Sequence, residues 1–210
     1  MNKTKIYSIL IILISFAIAF YFYPLLPDQI ASHWNFSGEV DGYMSKFWGL
    51  FFMPLLLIGL NFALFLVPKI DPKKANIDEF KKIYESFIVI FNLFMVYVYS
   101  LTVAWNMGYQ FNMNTVMLPA LGIFFFFVGD LVSKAKMNYT IGIKLPWTLS
   151  SEDNWNKTHK KGEYVFKIIG ISTFIGAFFG SYSFLFLFLP LFIGMTYIVV
   201  YSYLEFKKKS

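Results

Sequence analysis

Phe47–Val67 reads FWGLFFMPLLLIGLNFALFLV, and no residue in it is charged. A helix rises about 1.5 Å per residue, so this stretch covers the roughly 30 Å hydrocarbon core of a bilayer. A soluble helix would turn a polar face to water; here Asn61 is the sole strongly polar side chain. Comparable stretches occur at Ile6–Tyr23, Ile83–Trp105, Thr115–Val132, Val165–Gly180 and Phe184–Leu204. The whole chain agrees: of 210 residues 58% are hydrophobic and 14% charged, against about 25% charged in soluble domains. That composition excludes a soluble globule and a disordered chain. It predicts an all-α polytopic integral membrane protein, a single membrane domain over residues 1–210. Its six transmembrane helices lie at about 6–23, 47–67, 83–105, 115–132, 165–180 and 184–204, with polar loops at 24–46 and 133–164. Cysteine is absent, which removes disulfides, thiol nucleophiles and Cys-based metal sites.

The charges predict the orientation. All 18 basic residues are lysine, and 17 of them fall on one side of a six-span serpentine. Lys46 stands alone on the other, with Asp28, Glu39 and Asp41. The positive-inside rule then puts both termini in the cytoplasm, in the cell membrane, and accounts for the high pI without a nucleic-acid partner. Ala17-Ile18-Ala19 has the form of a signal-peptidase site, but the apolar run continues through Phe20–Leu26, so the first helix is expected to be retained.

The spans contain little chemistry. Glu85, Asp130 and Lys167 sit near the lysine-side ends, and none lies at the midplane, where ion and proton pathways keep a charge. The deeper polar groups, Asn61 and Asn92, suit hydrogen bonding between helices. The even-numbered spans each carry a Pro followed by a Gly: Pro54 and Gly59, Pro119 and Gly122, Pro190 and Gly194. This pattern fits a kinked outer vestibule, an ancestral helical hairpin repeated three times, or the ordinary abundance of both residues in membrane helices.

Two polar loops remain. In the outer one, Pro27-Asp28 reads as a helix start, with Asp28 as N-cap and Gln29–Trp34 as a helical turn; Ser37-Gly38 and Asp41-Gly42 are turn chemistry. Trp34 and Phe36 suit the membrane interface, and His33 gathers with Asp28, Glu39 and Asp41. That set could dock a cationic or amphipathic ligand, hold a metal, or simply bond internally. In the inner loop, Ser150 and Asp153 have capping-box form ahead of a helix over Asn154–Lys161. Trp147 and Trp155 read as interface anchors, and the loop as an amphipathic elbow or a docking platform for a cytoplasmic protein. His33 and His159 lie on opposite sides, so no single site holds both. No HExxH, GxSxG or phosphate-cradling glycine loop is present. A non-enzymatic protein without cofactor or metal is expected. A small-solute transporter or pore is the alternative, and a metal-dependent membrane enzyme at His33 a more distant one.

The two loops together resemble the SdpI-like family of membrane immunity proteins. Outside, the resemblance rests on Pro27, Asp28, Ile30, His33, Trp34, Asn35, Gly38, Asp41 and Lys46. Inside, it rests on Asn138, Tyr139, Gly142, Ile143, Pro146, Trp147, Thr148, Leu149, Trp155, Thr158 and His159. Ala31, Lys144 and Asp130 depart from the residues usual there. The resemblance implies a multi-pass protein that protects its cell from a secreted antimicrobial peptide. In the best-understood system it also holds a cytoplasmic transcriptional repressor at the membrane. Asp28, His33, Trp34, Asn35, Glu39 and Asp41 are then the expected ligand contacts. Asn138, Gly142, Lys144, Pro146, Trp147, Trp155 and His159 are the expected cytoplasmic responders.

Overall fold

The computed structural model describes residues 2–208; Lys209, one of the terminal lysines, lies outside them. The fold is mostly helical, 74%. Helix α1 (Lys3–Phe22) leads into a hairpin of β1 (Gln29–Trp34) and β2 (Val40–Ser45), then α2 (Lys46–Ile70), the short α3 (Lys74–Glu79) and α4 (Lys81–Asn106). Helix α5 (Met113–Lys134) precedes the inner loop, which holds α6 (Pro146–Leu149); α7 (Glu152–Gly176) and α8 (Leu185–Lys207) follow. A 3₁₀ turn, Gly180–Tyr182, connects the last two.

Among the described residues, five segments are long and apolar enough to cross a membrane: α1, α2, α4, α5 and Gly180–Lys207. Helix α7 is not among them. Its first half carries Glu152, Asp153, Lys157, Lys160, Lys161 and Glu163, and the stretch from Val165 to Gly176, interrupted by Lys167, rises only about 18 Å. It is nevertheless wedged between α5 and α8, burying Val165, Ile169, Gly170, Thr173 and Gly176 along one stripe. Gly122 of α5 and Gly170 of α7 allow that approach. A Cβ on either would lie 2.5 Å from the other's carbonyl oxygen. The Pro–Gly pairs do not share one role, since a Cβ at Gly59 would meet nothing within 4 Å.

Three apolar clusters hold the helices. Beneath the hairpin, Ala19, Leu26, Ile30, Leu50, Tyr99 and Val103 join α1, β1, α2 and α4. At the lysine-bearing end, Ile77, Phe80, Tyr84, Ile88, Leu131, Ala135 and Trp155 join α3, α4, α5 and α7. Leu118, Val165, Ile169, Leu187 and Ile198 join α5, α7 and α8. At mid-depth Asn61 and Asn92 exchange side-chain amide bonds of 2.8 and 2.9 Å. Asn92 also donates to Ser8 Oγ at 3.1 Å, so the interhelical role expected of both asparagines is borne out.

Two local expectations fail. Gln29–Trp34 is a strand, not a helical turn: its backbone pairs with 40–45, from Gln29↔Ser45 to Trp34↔Val40, through irregular register around His33. The sheet also departs from an all-α fold. The α7 cap is Ser151, whose hydroxyl accepts from Asn154 N, one residue later than Ser150.

Candidate functional site: two braced loops at opposite ends

The hairpin is tied down by side chains from distant helices. Ile30 is fully buried in the cluster below it. At the end of α4, Asn106 Oδ1 accepts from Ala31 N at 2.8 Å and its Nδ2 donates to Ala31 O at 3.0 Å, standing in for a third strand. Asn112 and Asn114 donate to the carbonyls of Ser37 and Phe36, at 2.9 and 2.8 Å. The turn is an Asx turn: Asn35 Oδ1 accepts from Ser37 N and Glu39 N, and Gly38 takes φ +81°. Lys46 Nζ donates to Leu26 O and pairs with Asp28, both at 3.2 Å.

What stays accessible is narrower than the motif. His33 pairs through Nδ1 with the Asp41 carboxylate, and both are well exposed. Glu39 is exposed and accepts from Asn35 Nδ2 at 3.3 Å. Trp34 stacks edge-on against Trp105, centroids 5.8 Å apart. Its indole N–H is shielded from solvent with no acceptor among the described residues. Phe36 lies against Phe184 and Phe188 of α8. Thus Asn35 serves the hairpin's shape, while Asp28, His33, Asp41 and Glu39 form its polar surface, the Asp28 carboxylate staying exposed beside Lys46. Among the described residues, no group of three or more His, Asp or Glu could hold a metal ion.

At the other end, residues 135–145 are pinned almost atom by atom. Asp71, 3% exposed, accepts from Tyr139 N (2.9 Å), Thr140 Oγ1 (2.8 Å) and Lys73 N (2.7 Å). Asn138, fully buried, accepts from Thr140 N and Ile141 N and donates to Lys136 O and Ile141 O. Trp155 is no interface anchor: it is fully buried, and its N–H donates to Ala135 O at 2.7 Å. His159 stacks on it, centroids 3.9 Å apart. Its Nε2 accepts from Ile143 N at 3.0 Å while Nδ1 faces Trp155 O at 2.8 Å. Those partners demand a neutral imidazole with its proton on Nδ1, and burial pushes its pKa down to about 4. Gly142 is required twice over. Its φ is +128°, and a Cβ would lie 2.5 Å from His159 Nε2.

Asn138, Gly142, Trp155 and His159 therefore shape the inner loop from beneath. Tyr139, Lys144 and Pro146 are exposed. Trp147 is half-buried, donating its N–H to Ser202 Oγ of α8 at 2.7 Å. Asp71, Asn106, Asn112 and Asn114 were missed by sequence reasoning. The run of asparagines between α4 and α5 was the available signal.

Comparison with known proteins agrees with this division. Residues 10–58, covering most of α1, the hairpin and the start of α2, match a domain model described as a domain of unknown function, DUF1648. Residues 134–202, covering the inner loop, α7 and most of α8, match the SdpI/YfhL protein family. The chain is 26% identical over 211 residues to the immunity protein SdpI of Bacillus subtilis strain 168, covering 98% of this chain and 97% of that protein. No solved structure matches the chain significantly. The resemblance to the SdpI-like family read from the two loops is thus borne out, and the long apolar helices agree with a membrane protein.

Proposed function

We propose that the chain is a cell-membrane immunity protein that meets a secreted peptide toxin at the hairpin and responds at the inner loop. It crosses the bilayer six times with both termini in the cytoplasm, α7 being the span shielded by its neighbours. The observation carrying this reading is that both motif loops are braced by the helices and each leaves a small polar surface free. Those surfaces are Asp28, His33, Asp41 and Glu39 at one end and Tyr139 and Lys144, beside the exposed Pro146, at the other. The similarity over nearly the whole length to an immunity protein supports it. The unpartnered Trp34 N–H is a donor that a peptide carbonyl satisfies once the hairpin shifts. A bound state that gains such a bond is favoured over the free one. Against solute transport, the mid-depth amides are spent on each other and on Ser8. A cytoplasmic repressor is the partner proposed for the inner surface.

Survival of toxin-challenged cells expressing the wild type, His33→Ala or Asp41→Ala tests the function. Protection by the wild type and weaker protection by the variants are expected; equal survival with and without the wild type discards the immunity role. Because the chain has no cysteine, Ser37→Cys and Ser150→Cys report topology with an impermeant maleimide. Labelling of both from one side refutes the orientation.

A further inference from the structure

Where α1, α2, α3 and α4 meet at the lysine-bearing end, they enclose a cavity of about 390 Å³. Four elements each contribute one lysine to its lining: Lys5 from α1, Lys69 from the last turn of α2, Lys74 opening α3 and Lys81 opening α4. Among the described residues, none of the four is within ion-pair distance of a carboxylate. Two acids also line the cavity, Asp78 and Glu85, and Glu85 already accepts from Asn2 Nδ2 and Thr4 Oγ1. The lining therefore holds two positive charges in excess. The floor is apolar, formed by Leu64, Phe65 and Ile88. The one hydroxyl there, on Tyr84, is committed to Leu64 O at 2.8 Å.

We infer that this cavity binds an anionic phospholipid, its phosphodiester among Lys5, Lys69, Lys74 and Lys81 and the start of its acyl chains on the Leu64–Phe65–Ile88 floor. Positive charge over an apolar floor, at the depth where apolar helices end in lysines, complements a lipid in both halves. A soluble phosphate would leave the floor unused. Four like-charged ammonium groups offset by only two carboxylates repel one another, and an anion among them relieves that repulsion. The lysine face is also the face the positive-inside pattern sets against anionic headgroups. The site is separate from both motif loops and does not depend on the immunity reading.

The test uses the full chain purified from mixed phosphatidylcholine–phosphatidylglycerol micelles, with retained lipid quantified by mass spectrometry. Removing one ammonium is expected to cost about fivefold in retention, the fold-change corresponding to about 1 kcal/mol per lysine. The triple variant K69Q/K74Q/K81Q should therefore lose phosphatidylglycerol enrichment by more than tenfold. The control K134Q/K160Q/K161Q removes the same charge from the same face and should stay within twofold of the wild type. Leu64→Trp fills the floor, keeps every ammonium and should also lower retention, which guards against misreading a folding defect. Equal loss in the two triple variants would mean ordinary surface potential and overturn the site. Absence of enrichment in the wild type, or displacement of the lipid by millimolar glycerol phosphate, would overturn it as well.

Discussion

Lowering the pH should loosen the inner loop through one side chain. His159 is buried, accepts from Ile143 N and offers Nδ1–H to Trp155 O. A second proton would point an N–H at another N–H. In the unfolded chain the imidazole binds its proton near pH 6.5; in the fold it does so only near 4. Between those values the unfolded state holds more protons, so stability falls as pH falls, and above about pH 7.5 the group contributes no slope. The loss integrates to about 2 kcal/mol by pH 5 and about 3 kcal/mol by pH 4. His159→Gln is the matched perturbation, because its amide can accept from Ile143 N and donate to Trp155 O without titrating. Detergent-solubilised protein is titrated with SDS at pH 7.5, 6, 5 and 4 and followed by tryptophan emission. The variant is expected to start less stable and to lack the acid slope attributable to His159. Surface carboxylates titrate in both proteins and cancel in the difference. Parallel wild-type and variant slopes from pH 7.5 to 4 would refute the neutral, doubly bonded imidazole.

Three further outcomes follow from the packing. Asn92→Leu should cost about 1–2 kcal/mol in the same SDS titration by stranding Asn61, and adding Asn61→Leu should recover part of that loss. Gly122→Ala places a methyl 2.5 Å from Gly170 O and 2.8 Å from Phe174 N, both backbone atoms. It should cost about 1–3 kcal/mol, whereas Gly59→Ala, with open space around it, should be neutral or stabilising. Asn106→Ala removes both bonds to Ala31 at about 1 kcal/mol each, so the Ala31 amide should exchange markedly faster with deuterium while the helices keep their protection.

The five long apolar helices were legible because such a segment is marked by composition over about 20 residues, and no tertiary context can hide a stretch such as Phe47–Val67. Helix α7 was less legible because its apolar half is short and its polar half is charged, so its place depends on the glycine contact with α5. The hairpin was illegible for a different reason. Pro27-Asp28 is a sound local helix start, and the extended conformation wins through partners far along the chain, Asn106 above all. In the inner loop Trp155 was expected at the membrane interface and is instead fully buried. Tryptophan and histidine near a membrane surface suggest contact with the outside. Trp155 and His159 turn inward because residues 135–143 present free carbonyl and N–H groups that must be satisfied.

Communication between the two loops has a physical candidate in α8. At its hairpin end Phe36 lies on Phe184 and Phe188, 5.0 and 6.0 Å between centroids. At its other end Ser202 accepts from Trp147 Nε1 through its hydroxyl, and its carbonyl accepts from Asn154 Nδ2 at 2.8 Å. Phe188 and Ser202 are about 21 Å apart along one helix, with Pro190 between them. Sites so far apart normally contribute additively, within about 0.3–0.5 kcal/mol. If α8 shifts as a unit when the hairpin moves, Phe36→Ala and Trp147→Phe will not be additive. A double-mutant cycle read by SDS titration should then give an interaction energy above about 0.5 kcal/mol. Additivity within that limit would reduce α8 to two independent anchors, and coupling would then have to run through α4, which joins Asn106 under the hairpin to Tyr84 in the lysine-end cluster.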